Sequence, residues 1–169
     1  MVSKTSVVAP IIIIGVSGCG KTTVGRALAE RLSATFLDAD DFHPTANVEK
    51  MRAGTPLDDD DRAPWLATLN RELRTRSARG ERVVLSCSGL KRRYREAISE
   101  SLMHPNWIFL DGSFELIAER MRARAGHYMP ESLLCSQFDA LERPDNAIQI
   151  SIELSAAEQV EAALAALAI

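Results

Sequence analysis

The strongest constraint on this chain is a run of four isoleucines, residues 11–14, that leads directly into G-V-S-G-C-G-K-T, residues 15–22. An unbroken β-branched run is the pattern of a short strand buried on both faces, as in parallel sheets. The octet after it matches G-x-x-x-x-G-K-[ST], and "VGRALAERL" beyond reads as a helix. Strand, loop and helix in that order form the context in which the motif cradles phosphate. Glycines let the backbone approach phosphate oxygens, and N–H groups at the helix start face the anion. Gly15, Val16, Ser17, Gly18, Cys19, Gly20, Lys21, Thr22 and Thr23 are therefore the candidate nucleotide-binding residues. Lys21 supplies a point charge near the β- and γ-phosphates, and the Thr22 hydroxyl suits the shell of Mg²⁺. Cys19 contributes its backbone, and its thiol is open to a reactive reading in so electropositive a loop.

The remaining chain alternates. "ATFLDAD", "RVVLSCSG", "NWIFLDG" and "NAIQISI" read as four more strands. Between and after them lie helical stretches, including "APWLATLNRELRTRSARG", "KRRYREAISESLM", "SFELIAERMRARAG", "PESLLCSQFDALERP" and "SAAEQVEAALAALAI", the last with Ser155 as N-cap. Alternation of this kind predicts βαβ units and a parallel sheet with helices on both faces. At 169 residues a single α/β domain with a real core is expected. The acidic balance, net charge -3, argues against nucleic acid as a partner, and it sets aside "KRRYR" as a nucleic-acid patch. Three scattered cysteines without a secretory pattern suggest free thiols in a reducing, cytoplasmic setting, and the apolar start is too short to span a membrane.

Nucleotide-binding chains include switches and kinases. Switch GTPases carry D-x-x-G and N-K-x-D, and neither pattern occurs here. Asp38 and Asp40 close the second strand as D-x-D, with both side chains expected on one side. Strand ends in such sheets face the ligand crevice. One carboxylate can hold magnesium and the other accept a hydroxyl proton. The opposite reading is that both simply begin the next loop.

"FLDADDFHPTANVEKMRAGTPLDDDDRAPWL", "CSGLKRRYR" and "GHYMPESLLCSQFDALERP" together resemble the gluconokinase family, ATP-dependent kinases of D-gluconate, in order and over nearly the whole chain. The blocks H-P-x-x-N-x-x-K-M from His43 and D-x-D-R-x-P-W-L from Asp59 carry most of that likeness. Two positions depart from the family's habit. Gly89 stands where C-S-A-L-K is common, which loosens the turn before Lys91, and Asp111-Gly112-Ser113-Phe114 replaces K-G-D-F.

The resemblance implies an adenylate-kinase-like P-loop fold, five parallel strands in the order 2-3-1-4-5 with a small lid. A single domain would comprise the phosphate loop at 15–22, a substrate region at about 40–66 and a lid at about 120–137. It also implies ATP and Mg²⁺, transfer to the 6-hydroxyl of gluconate, and a homodimer. Asp40 is assigned to the reacting hydroxyl and Asp38, with Thr22, to magnesium, although the two aspartates can exchange roles. His43 can meet a substrate hydroxyl or be structural; Lys50 is either functional or a solvated helix charge. Arg62, Lys91 and Arg95 are candidates for the substrate carboxylate, with Arg92 and Arg93 facing solvent. Arg120 and Arg124, four apart, suit a lid face that closes over transferring charge, the alternative being a solvated basic face. Lys21, Asp40, Arg120 and Arg124 are thus the catalytic set. His127 is a lid residue and Gln137 a partner for a gluconate hydroxyl. In the acidic run, Asp60 or Asp61 is expected to cap the next helix, with Asp58 a solvated bystander. Shikimate kinase is a competing reading, but its run of adjacent glycines is missing here; a nucleoside-monophosphate kinase does not suit the two blocks. A nucleotide-binding regulator without turnover is disfavoured by the intact loop and aspartates.

Overall fold

A computed structural model describes residues 7–123 and 131–168. Five strands form one parallel sheet: β1 (Ile11–Ile14), β2 (Thr35–Asp38), β3 (Val83–Ser86), β4 (Asn106–Asp111) and β5 (Ile148–Ser151). Their order is β2-β3-β1-β4-β5, as expected. The helices are α1 (Lys21–Arg31), α2 (Thr45–Arg52), α3 (Asp59–Ala78), α4 (Arg92–Ser99), α5 (Phe114–Ala123), α6 (Glu131–Ala140) and α7 (Ala156–Leu167). β1 is central and pairs in parallel with both β3 and β4, with Ile12 opposite Leu85 on one side and Trp107 on the other.

The isoleucine run explains the layers. Ile11 and Ile13 enter one apolar cluster with Val24, Leu28, Ile117 and Val160, whereas Ile12 and Ile14 enter a second with Trp65, Leu69, Leu73 and Ile98. Side chains alternate along a strand, so one tetrapeptide feeds both cores. Helices α1, α5 and α7 cover the first face, α3 and α4 the second. All four isoleucines are at most 2% exposed. At about 1.5–3 kcal/mol for each such side chain removed from water, they anchor the sheet.

Two boundaries differ from the sequence reading. β2 stops at Asp38, and residues Ala39–Phe42 form a turn of 3-10 helix. Asp40 therefore stands on that turn and not in strand alternation with Asp38; the Asp38 carboxylate caps the turn by accepting from the Asp40 N–H at 3.2 Å. α3 begins at Asp59, four residues ahead of the expected Ala63, because Asp58 and Asp61 form a capping box that nucleates an additional turn. Pro64 consequently lies inside the helix, at a cost of one backbone bond. Ser155 caps α7 as expected, also through a capping box, with Glu158.

The 3-10 turn is tied to α3 by Trp65, whose indole Nε1–H donates to the Ala39 carbonyl at 2.7 Å in a buried setting. Replacing Trp65 with Phe leaves that carbonyl without its partner. Urea unfolding of Trp65→Phe is expected to show a loss of about 1–3 kcal/mol; an unchanged midpoint would mean the bond contributes nothing.

Candidate active site

The phosphate loop joins β1 to α1 at the carboxyl edge of the sheet. Gly20 caps α1 at φ 100°, and Gly18 has φ 81°. A Cβ on Gly18 would lie 2.7 Å from Met121 Cγ, so α5 packs directly on the loop. Lys21 Nζ donates to the Val16 carbonyl at 2.9 Å, which keeps the ammonium curled over the loop. Cys19 is 0% exposed with its sulfur turned inward, so the reactive reading of its thiol fails on access. Cys87, at the end of β3, is likewise inert: burial pushes its thiol up to about 12.

Thr22 Oγ1 donates to Asp38 Oδ2 at 3.2 Å. A hydroxyl and a carboxylate side by side, both hard oxygen donors, fit a Mg²⁺ that takes its other ligands from water and phosphate. Asp40 extends into the crevice with its side chain 89% exposed. Crowding by the crevice walls, and next the like charge of Asp38, push its carboxyl above the ordinary value. Given that exposure, we weight the neighbouring carboxylate over desolvation as the cause while the crevice stays open to water.

His43 follows the 3-10 turn. Its ring stacks on Trp65 with centroids 4.3 Å apart and planes at 13°, and its side chain is 6% exposed. Burial lowers its pKa, against a raising influence from Asp40, with Arg62 adding to the fall. Nε2 lies 4.0 Å from Asp40 Oδ1.

Beyond His43 stands a basic group around one aromatic ring. The charges of Arg62, Lys91 and Arg93 each lie 5.5 Å from the Tyr94 ring centroid. Asp59 is their counter-ion: it accepts from the Tyr94 hydroxyl and from Arg93, and Lys91 Nζ is 3.6 Å away. The Tyr94 bond, then the charges of Arg93 and Lys91, hold the Asp59 carboxyl below its usual range. Arg62 also donates to the Leu57 carbonyl. Tyr94, Asp59 and Asn47 are site elements to which the sequence reading gave no role, although Asn47 and Asp59 stand in the two blocks that carry the family likeness. An aromatic amid basic residues was the available signal for the first, and the i,i+4 spacing of His43 and Asn47 for the last.

Several assignments change. Arg95 is 8% exposed and donates to the carbonyls of Gly89 (2.8 Å) and Leu90 (3.1 Å). It braces the turn that presents Lys91 and is not free to meet a substrate carboxylate; this brace offsets the loosening expected from Gly89. Arg93 is not simply solvent-facing, since Asp59 holds it. Gln137 accepts from the Ser17 N–H at 2.7 Å, so its carbonyl oxygen meets the phosphate loop. Arg120 donates to the Ile152 carbonyl, which turns it into a tie between α5 and the segment after β5. Arg124 and His127 lie outside the described residues.

The aspartate run divides differently from expectation. Asp58, taken for a bystander, is the N-cap of α3, accepting from the Asp61 N–H at 2.8 Å. Asp61 answers the Asp58 N–H at 3.1 Å and pairs with Lys50 at 2.6 and 2.8 Å. Asp59 serves the basic group. Asp60 is exposed and makes no hydrogen bond among the described residues. No group of three His, Cys, Asp or Glu among the described residues could hold a metal by itself, and no described helix is long and apolar enough to cross a membrane.

Comparisons with known proteins agree with this geometry. The family model described as "AAA domain" matches residues 11–144. The chain is 48% identical over 133 residues to the thermosensitive gluconokinase of Escherichia coli, covering 79% of this chain and 71% of that one. It is 43% identical to the gluconokinase of Arabidopsis thaliana, covering 92% and 90%. The crystal structure of a gluconokinase from Sinorhizobium meliloti superposes with a TM-score of 0.86 at 44% identity, over 95% of this chain and 91% of that one.

The capping reading carries its own test. Asp58→Ala is expected to lower stability by about 0.5–2 kcal/mol, and Asp60→Ala to leave it unchanged. The Lys50 bond, followed by the Asp58 N–H, lowers the Asp61 pKa below the ordinary carboxylate value. Stability from Asp61 is therefore full above that value and lost as pH falls through the depressed folded one. The acid limb of the unfolding profile should be shallower for Asp61→Asn; equal limbs would contradict the pairing.

Proposed function

Since the chain belongs to the gluconokinase family, we propose that it works in the cytoplasm, transferring the γ-phosphoryl group of ATP to the 6-hydroxyl of D-gluconate and releasing ADP and 6-phospho-D-gluconate. The observation that carries the substrate is the layout of the crevice. Lys21 and a carboxylate, Asp40, occupy the phosphate end. Arg62 and Lys91 flank Tyr94 at the other end. A polyol with one terminal carboxylate matches that polarity, the reacting hydroxyl at Asp40 and the carboxylate between the two cations.

The loop amides and Lys21 hold the β- and γ-phosphates. Thr22 and Asp38 would hold Mg²⁺, which would supply positive charge to offset that of the phosphate oxygens. Asp40 accepts the hydroxyl proton as the sugar oxygen bonds to phosphorus, and the bond to the ADP oxygen breaks. With a loose transition state, alignment of that oxygen matters as much as proton removal. His43 and the Trp65 behind it wall the crevice against water. Arg95, Gln137 and Arg120 are left out of the machinery because each already spends a polar atom on a bond within the fold.

A coupled assay of ADP release should give turnover with D-gluconate and little with glucose, shikimate or AMP; release with shikimate or AMP alone would overturn the reading. Lys21→Ala should abolish turnover with the fold retained. Asp40→Asn should lower kcat by about 10²–10⁴-fold, with a smaller change in KM for ATP. Because the folded state raises the Asp40 pKa, the ionised group costs stability at pH above the ordinary carboxylate value. Asp40→Asn should accordingly melt higher than the parent at neutral pH, and the gap should close below that value. A lower melting temperature at pH 7 would contradict the sign.

A further inference from the structure

Asn47, on α2, is 4% exposed and belongs to no part of the mechanism above. Its amide orientation is fixed by chemistry. Nδ2 lies 2.8 Å from the backbone carbonyl of Asp61, which can only accept, so the nitrogen must face it. The same nitrogen lies 3.4 Å from His43 Nδ1. Its second proton therefore points at that ring atom, which must present a lone pair. In a neutral imidazole the proton then resides on Nε2. Nε2 is the atom that faces Asp40 Oδ1, at 4.0 Å.

We propose that Asn47 is a positioning residue that sets His43 as the Nε2–H tautomer, so that the ring directs a proton donor at Asp40 and keeps that carboxylate aimed at the sugar hydroxyl. The proposal rests on Asp40 being the acceptor of that hydroxyl proton. Each link has a physical support. The stack on Trp65 fixes the ring plane, and the indole is itself fixed by the Ala39 carbonyl. Asp61 anchors Asn47 from α3 and is held in turn by Lys50. The groups facing the ring are Asp40 from the 3-10 turn, Asn47 from α2, and Arg62 and Trp65 from α3. Arg62 and burial both favour the neutral ring, the form in which the tautomer matters. The exposed Asp40 side chain is free to rotate, which suffices to close 4.0 Å to a hydrogen bond as the crevice fills. A donor on Nε2 gives one Asp40 oxygen a fixed partner and leaves the other turned to the sugar hydroxyl.

The decisive measurement is ¹⁵N NMR of the full chain labelled in histidine, with His43 assigned by loss of its signals in His43→Gln; only three histidines are present. At pH 8 the parent should carry the His43 proton on Nε2, and a proton on Nδ1 would overturn the proposal without recourse to any variant. Asn47→Asp replaces the donor by an acceptor and should move the proton to Nδ1. That variant should lose about tenfold or more in kcat, the effect of one charge-assisted hydrogen bond, with KM for ATP changed less than about twofold. Full kcat with the proton on Nδ1 would refute the link to Asp40. A merely structural Asn47 would lower the melting temperature and leave tautomer and kcat alone. Absence of ADP release from the parent with gluconate would instead bring down the functional reading and leave the tautomer result standing.

Discussion

Every functional position is referenced to β1, a strand four residues long that is buried on both faces and hydrogen-bonded along both edges. Such a strand cannot shift by one residue without exchanging Ile11 and Ile13 with Ile12 and Ile14 between two separately packed cores. That fixes where the phosphate loop emerges. The neighbouring strand ends are fixed with it, because the Cys87 N–H donates to the Ile13 carbonyl and the Gly15 N–H to the Ser88 carbonyl. Lys21 and the turn bearing Lys91 are thus set by the same backbone register.

The second theme is division of negative charge. Seven aspartates crowd the region from the end of β2 to the first turn of α3, and four of them have distinct companions. Asp38 takes the Thr22 hydroxyl, Asp58 a backbone N–H, Asp59 the basic group at Tyr94, and Asp61 Lys50. Asp40 faces the crevice with its side chain 89% exposed. What reads as a block of like charge is eased by giving four of its members separate partners, while Asp40 stays available.

Element sequence and the phosphate loop were legible because they depend on periodicity and on backbone geometry that glycine spacing reveals, whereas the sheet order came only with the family resemblance. The failures share a cause. Asp40 was placed on a strand because D-x-D alternates, yet the Asp38 side chain turns the chain at that point by capping a 3-10 turn. Asp58 was dismissed because family blocks begin at Asp59, whereas capping is decided by which carboxylate reaches an N–H three residues on. Arg95 looked like a ligand because guanidiniums suit carboxylates; that its partners are two carbonyls of its own turn is a tertiary fact. Asn47 went unremarked because a donor pinned between a carbonyl and an imidazole has no signature beyond spacing.

Gln137 shows what such placement can do at a distance of 120 positions in sequence. Its Oε1 accepts from the Ser17 N–H at 2.7 Å, tying α6 to the phosphate loop. A loop whose amides must all face one way is thus held at one of them by a neutral side chain from the far end of the chain. Any change that moves α6 away leaves that N–H without its partner, so the shape of the loop and the seat of the helix are not independent.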